Sequence, residues 1–461
     1  MIHCAAIRFL MTDKVMSFDN VIENRSEVVL EAPSQAPKHL RHLRRNFILF
    51  FLDFTLFGTA FTLIGNTTVV PDFVRHLTSS EQIIGLAGSI YSFSWLLPQL
   101  MFAQLINRGK HRKAWLTWTA VPFRLIMAVM ALSIALTGPG NQNAILLIFL
   151  GGYSLFAATD GLVTIVWADL IGSAMPERLR GVLFSAGQFA VAFGALGMRA
   201  VVRALLGSGG PPFPQNYAQM FGIAAFLFVI AGLCLALLVE EKQDSPPHAG
   251  PTIKEYLPYV GNVLRRDSTF RHFIITRGLL DFTMIAAPFY IIFGAERLNL
   301  PSATLVGDSI LLATVGGAVS AIFMTWLSHR YGSRAVIALM ALACVAHPTL
   351  ALLSIYGGFT ALYAAFFTLG FVTSGIAPGY IDWIITYAPP ERRPIYIGLT
   401  NTLGAVSQLS PLAGGFILAL SGSSYALLFG LSLLIGIAGL ISVRFLAEPR
   451  NQRAIYSSAK S

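Results

Sequence analysis

Ala103-Gln104-Leu105-Ile106-Asn107-Arg108-Gly109-Lys110-His111-Arg112 lies between two long apolar runs, and Thr325-Trp326-Leu327-Ser328-His329-Arg330-Tyr331-Gly332-Ser333-Arg334 lies between two others. Aligned without gaps, Leu105 falls on Leu327, Arg108 on Arg330 and Arg112 on Arg334, 222 residues apart in a chain of 461. Two more echoes keep nearly the same spacing. Asp53-Phe54-Thr55 recurs as Asp281-Phe282-Thr283, and Pro176-Glu177-Arg178 recurs as Pro390-Glu391-Arg392. A basic hairpin repeated half a chain apart, within alternating apolar runs, indicates two similar membrane bundles joined in sequence.

Composition agrees. The chain is 55% hydrophobic, 12% charged and has a mean hydropathy of +0.66. A soluble domain carries about a quarter of its residues charged, so this chain lacks the polar surface to stay in water. A spanning helix needs roughly 20 mainly apolar residues, and many such runs are present. Backbone groups in hydrocarbon must bond internally, which leaves helices or a closed barrel. The long runs show no period-two alternation, which excludes the barrel. The fold class expected is therefore an all-α polytopic membrane protein. The net charge of +10 does not imply a nucleic-acid partner, because the basic residues occupy alternate short loops. Cys4, Cys234 and Cys344 form neither a disulfide framework nor a metal-binding spacing.

Twelve spans are expected at 46–70, 82–106, 114–137, 143–168, 181–204, 217–239, 270–294, 304–327, 334–356, 358–386, 394–419 and 424–446. The corresponding domains are a tail at 1–45, a six-helix bundle at 46–239, a linker at 240–269, a second bundle at 270–446 and a tail at 447–461. Within the linker, Ile253, Tyr256, Leu257, Val260 and Leu264 recur at helical spacing, consistent with an interfacial amphipathic helix or an ordinary connecting loop. Nearly all Lys and Arg outside the spans fall on one side, including Arg41, Arg44, Arg108, Arg112, Arg265, Arg330, Arg334 and Arg392. The other side has Arg75 and Arg297, with Arg199 and Arg203 at the end of the fifth span. The positive-inside rule then places both termini in the cytoplasm of a cell-membrane protein.

The two hairpins resemble the loop between the second and third spans of the major facilitator superfamily, and its echo between the eighth and ninth. That pattern reads Gly-x-Leu-Ala-Asp-Arg-x-Gly-Arg-Arg. Here Ala103 stands for the first Gly, Asn107 for the Asp and Lys110 for the second Gly, while the later copy keeps Gly332 and has His329 at the Asp position. The resemblance implies two six-helix pseudo-repeats. It also implies a role for Asn107, Arg108, Arg112, His329, Arg330 and Arg334 in conformational gating, and a central cavity lined by the first, fourth, seventh and tenth spans. Ser410-Pro411-x-x-Gly414-Gly415 is similar to the antiporter run of the family, although it sits in the eleventh span. The fourth-span Arg of the family's antiporters is missing, because Ala157 occupies the position four residues before Gly161.

Ionisable groups inside spans are costly and mark function or a paired structural role. Asp53 and Asp160 lie at similar depth in the first and fourth spans, so the resemblance puts both at the cavity. Tyr153, Phe156, Thr164 and Trp167 share a helical face with Asp160. Arg277 and Asp281 are four residues apart and able to pair on one face. Arg124 has no sequence-local partner; pairing with Asp160 and snorkelling to the interface are both open. Asn401, Gly404, Ala405 and Gln408 form one face of the eleventh span, and Ser185, Gln188 and Ala192 one of the fifth. Small residues with an amide suit helix packing, with substrate hydrogen bonding as the alternative.

The function expected is secondary transport of a small organic molecule by alternating access. Efflux of a drug-like or amphipathic metabolite, with proton coupling through Asp53 or Asp160, leads uptake of a sugar or similar nutrient. A membrane enzyme is the remote alternative, since no nucleophile elbow or phosphate cradle is present. Expected partners are the substrate, protons and membrane lipids, with no cofactor, no metal and a monomeric state.

Overall fold

The structure, a computed structural model, describes residues 42–107, 112–239, 264–388 and 393–449. The chain divides into Met1–Leu43, nearly all outside the described residues, and Arg44–Ser461, which carries the helical assembly. The amphipathic-helix reading of the linker, Arg108, and the side chains of Asn107 and Arg112 likewise lie outside the described residues. Every regular element among the described residues is helical. Ten segments are long and apolar enough to cross a membrane, and Leu43–Arg75 and Glu81–Asn107 complete the twelve.

Five spans run unbroken through the first half after an interrupted first span. The first is Leu43–Thr62 followed by Val69–Arg75. The second to sixth are Glu81–Asn107, Arg112–Thr137, Gln142–Ala174, Glu177–Leu206 and Gln215–Ala236. In the second half the seventh span is Ser268–Phe282, a tight turn at Thr283–Ala286 and then Phe289–Glu296. The eighth and ninth are Ser302–Tyr331 and Ser333–Gly357. The tenth is Phe359–Ser374, a widened turn at Ile376–Ile381 and Asp382–Tyr387. The eleventh is Arg393–Ser407 continued by Ser410–Leu420, and the twelfth is Tyr425–Val443.

The sequence reading gave these broken spans as continuous, and each break has a local cause. Gly65 begins the resumption of the first span, where an added Cβ would lie 2.4 Å from Thr68 Oγ1. Pro288, Pro378 and Pro411 sit at the other three breaks, and each lacks the N–H that a continuous helix needs. The later hairpin also departs from expectation. The eighth span runs on to Tyr331 and the ninth starts at Ser333, so His329 and Arg330 lie in a helical last turn rather than a loop. Gly332 alone makes the reversal, at φ +88°, a conformation that glycine adopts without steric cost. Arg334 secures the turn: its backbone N–H donates to Glu448 Oε2 at 3.0 Å and its guanidinium to the Arg444 carbonyl at 3.0 Å.

The face that carries both ends of the assembly is called proximal below, and the opposite face distal. Proximally, Arg45 donates to the Leu237 carbonyl at 2.7 Å and Trp383 Nε1 to the Ala447 carbonyl at 3.0 Å. The two halves meet along two seams, second span against eleventh and fifth against eighth. The seam between the second and eleventh spans tightens distally. A Cβ on Gly85 would come within 2.3 Å of the Pro411 carbonyl oxygen, and one on Gly415 within 2.3 Å of the Glu81 carbonyl oxygen. Backbones this close gain dispersion contacts that larger residues would forbid. Ser89 Oγ accepts from the Leu412 N–H at 3.1 Å, and Ser423 donates to Glu81 at 2.5 Å.

Candidate functional site

Between the halves lies a cavity of about 520 Å³. The first span contributes Phe57, Gly58, Phe61 and Thr62, and the second contributes Tyr91 and Trp95. Asp160 and Thr164 come from the fourth span, Gln188 and Val191 from the fifth, and Ile310, Thr314, Gly317 and Thr373 from the second half. A neighbouring cavity of about 240 Å³ adds Asp53, Phe54, Arg124, Val163 and Trp167, and shares Phe57, Asp160 and Gln188 with the first. The walls are aromatic and aliphatic with a few hydroxyl and amide groups, the ordinary make-up of a small-molecule site.

Asp160 is 7% exposed. Tyr91 Oη donates to its Oδ2 at 3.0 Å and Trp95 Nε1 to the same oxygen at 3.1 Å. Both donors come from the second span, and the close approach that brings them in runs through Gly161, where a Cβ would fall 2.2 Å from the Trp95 carbonyl oxygen. Charge-assisted bonds of this kind are roughly twice as strong as neutral ones, and they offset part of the cost of burying a carboxylate. Among the described residues Oδ1 accepts no such bond, and Asp160 is one of the residues that line the cavity.

Arg124 takes the partner that helical spacing could not indicate. Its NH1 donates to Asp53 Oδ1 at 3.1 Å and to the Phe228 carbonyl at 3.2 Å, and its guanidinium lies 5.2 Å from the centre of the Phe57 ring. The ion pair therefore joins the third span to the first, in place of either the Asp160 pairing or the snorkelling considered from sequence. Arg124 is 4% exposed and Asp53 2%. Trp167 Nε1 donates to the other Asp53 oxygen at 2.9 Å, so Asp53 is bonded on both oxygens.

The seventh span carries the corresponding device of the second half. Arg277 Nε donates to Asp281 Oδ2 at 3.2 Å, the i,i+4 pair expected from sequence, and the guanidinium lies 5.1 Å from the centre of the Tyr380 ring. Gly404 of the eleventh span leaves room for it, since a Cβ there would sit 2.9 Å from Arg277 NH2. Asp53 and Asp281, matched in the sequence repeat, thus each hold an arginine that is also stacked on an aromatic ring. Tyr153, Arg277, Asp281, Asn401 and Gln408 are not among the residues lining the two cavities. Tyr153 instead donates to the Ile64 carbonyl at 3.0 Å and to Asn66, bracing the interruption of the first span.

A polar cluster that sequence reasoning missed closes the distal side. Arg199 Nε donates to Asp308 Oδ1 at 2.5 Å, and Arg203 NH2 donates to both oxygens of the same carboxylate at 2.9 and 3.0 Å. Fifth span and eighth span are tied by these bonds. Asp72, fully buried, accepts from Arg75 at 2.7 Å, from Ser302 at 3.2 Å and from Tyr217 at 2.5 Å. Arg75 also donates to Ser302 Oγ at 2.8 Å, so this second cluster spans the halves as well. The available signal was the i,i+4 spacing of Arg199 and Arg203, two like charges on one face that call for an acid opposite.

The family model described as Major Facilitator Superfamily matches residues 46–409 and, in a second overlapping match, 283–460. A comparison with curated sequences finds no significant match. Solved structures that share the architecture include a nucleoside transporter, NupG, at 16% identity with a TM-score of 0.61, covering 88% of this chain and 99% of that one. The xylose transporter XylE from E. coli, in a partially occluded inward open conformation, aligns at 14% identity and a TM-score of 0.59 over 86% of this chain and 96% of its own. The human organic anion transporter MFSD10 aligns at 17% and 0.56, over 89% of this chain and all of its own length. At these identities the likeness is one of fold.

Proposed function

Since the chain belongs to the Major Facilitator Superfamily, we propose that it exports a small amphipathic organic molecule by alternating access, with Asp160 as the proton-coupling group. The observation that carries this reading is the cavity between the halves, about 520 Å³ in volume, with a buried carboxylate at its wall. Its size suits a small organic molecule, and its aromatic lining suits an apolar body better than a polyhydroxyl one. The distal clusters around Asp308 and Asp72 hold the halves together on one side, as one end state of a rocking cycle requires. The basic residues crowding the proximal face support a cytoplasmic location for that face.

Asp53 and Arg124 neutralise each other, and we assign them to holding the first and third spans in register beneath the cavity. Asp160 is the remaining carboxylate there and is free to exchange a proton with cavity water. Arg330, Arg334 and the earlier hairpin with Asn107, Arg108 and Arg112 are assigned to the proximal closure. The test is counterflow in proteoliposomes with and without a pH gradient, using sugar, nucleoside and aromatic amphipath panels. Gradient-driven movement of an amphipath against its own gradient, abolished in Asp160→Asn, is expected. Accumulation of a sugar or nucleoside down the proton gradient would establish uptake instead.

A further inference from the structure

We propose that His347 is a positioning residue of the transport cycle: it holds the two pieces of the seventh span at a fixed angle across their break, and so keeps the distal side closed. This rests on the alternating-access reading above and assigns the strut that sets one of its moving parts. The seventh span breaks at Thr283–Ala286 and resumes after Pro288 as Phe289–Glu296. That resumption is where the second half presses on the first. Its helix packs on Val69–Arg75 of the first span, and a Cβ on Gly88 of the second span would lie 2.5 Å from Pro288 Cγ. The angle at the break therefore decides whether this contact is made.

A helix that stops releases carbonyls from their ordinary partners, and in a membrane those groups must be met by neighbouring side chains. Ser432 of the twelfth span donates to the Thr283 carbonyl at 2.7 Å. Thr283 Oγ1 turns back to the Leu280 carbonyl at 2.6 Å, where Cys344 Sγ also donates at 3.7 Å. His347 of the ninth span reaches both sides of the break. Its Nδ1 lies 2.8 Å from Tyr290 Oη in the distal piece, and its Nε2 lies 3.4 Å from Thr283 Oγ1. The proton directions follow from these contacts. The Thr283 hydroxyl commits its proton to Leu280, so its oxygen accepts from Nε2–H, and Nδ1 accepts from the Tyr290 hydroxyl. The imidazole is thus a neutral strut with one donor and one acceptor, each used once.

Burial makes the strut stiff. Thr283, Tyr290, His347 and Ser432 are all fully buried, so solvent does not compete for these bonds, and a buried group left without its partner is costly. Phe366 of the tenth span and Phe429 of the twelfth meet the Tyr290 ring edge to face, at 6.0 and 5.1 Å between ring centres. They hold the phenol where His347 can reach it. The first half meets the same need from its fourth span, where Tyr153 donates to the Ile64 carbonyl and to Asn66 at the interruption of the first span. In each half a buried side chain from another span fixes the break of the leading one.

The experiment follows labelling of Thr314→Cys in the cavity by a membrane-impermeant thiol reagent, applied to each face of oriented vesicles. Cys4 and Cys234 are replaced; Cys344, fully buried and part of the cluster, stays, and the chain without Thr314→Cys gives the background. His347→Leu is expected to raise the distal rate about fivefold or more, as the loss of one hydrogen bond implies, with the proximal rate unchanged or lower. Tyr290→Phe, which removes a single hydroxyl, is expected to act in the same direction and carries the test if His347→Leu does not fold. Combined with His347→Leu it should add nothing, because both cut one chain of bonds. His347→Gln offers an acceptor and a donor on an uncharged amide and is expected to restore the wild-type rates. A His347→Gln chain labelled distally as fast as His347→Leu would overturn the strut, and so would acceleration from both faces alike, which marks general loosening. Wild-type distal rates in His347→Leu and Tyr290→Phe, with Asp308→Asn labelled distally, would overturn it and leave the transporter reading standing. No distal labelling in any variant, Asp308→Asn included, would remove both.

Discussion

Replacing Arg124 with Met tests the inner structure of the first half directly. The side chain keeps its length and loses its charge, so Asp53 is left buried with the Trp167 indole as its remaining donor. Arg124 is 4% exposed and Asp53 2%, so little solvent screening softens the change. Removing one partner of a buried pair costs about 3–5 kcal/mol. The Phe228 carbonyl also loses a charged donor, worth about 1.5–3 kcal/mol, although such terms are not additive. Replacing Asp53 with Leu in the same chain removes the orphaned charge, and a buried pair exchanged for apolar residues is often near neutral. The single variant should therefore lose about 3 kcal/mol or more, over a hundredfold in the folded-to-unfolded ratio. The double variant should regain most of it. Reversible unfolding in mixed micelles, read as a double-mutant cycle, measures the coupling. Single and double variants that are equally unstable would refute the reasoning, because Asp53 would then be tolerated without its arginine.

Asp308→Asn frees Arg199 and Arg203, whose side chains are 34% and 40% exposed. Solvent screening limits the loss to about 1 kcal/mol, enough for a roughly fivefold shift toward a distally open form. Spin labels at the distal ends of the fifth and eighth spans should report longer distances, and an unchanged distribution would count against a gate there. Gly85→Leu places a side chain where even a Cβ would lie 2.3 Å from the Pro411 carbonyl oxygen. The variant should fold, keep the distal seam of the second and eleventh spans apart, and stop transport; wild-type counterflow would show that this contact need not close.

Much of the architecture was legible because the membrane makes hydropathy speak for depth, and because a duplicated chain repeats its landmarks. Asp53-Phe54-Thr55 and Asp281-Phe282-Thr283 mark equivalent positions, and both acids do hold arginines. The Arg277–Asp281 pair was readable since i,i+4 neighbours share a helix face. Arg124 and Asp53 lie 71 residues apart on different helices, and no periodicity links them. The same is true of Tyr91 and Trp95, whose bonds to Asp160 depend on the close approach at Gly161. Tyr153 shares its helical face with Asp160, as expected, yet one end of that face meets the interruption of the first span rather than the cavity. Helical phase gives the direction in which a side chain points; only the neighbouring helix decides what it meets there.

The most direct measurement is the accessibility of one cavity position from each side of the membrane. Thr314 lines the cavity from the eighth span. In a chain with its own cysteines replaced, Thr314→Cys would be challenged with a membrane-impermeant thiol reagent applied to either face of oriented vesicles. The account predicts labelling from the proximal face at rest, and labelling from the distal face once the halves are driven apart there by Asp308→Asn. Labelling confined to the same single face in both cases would contradict it.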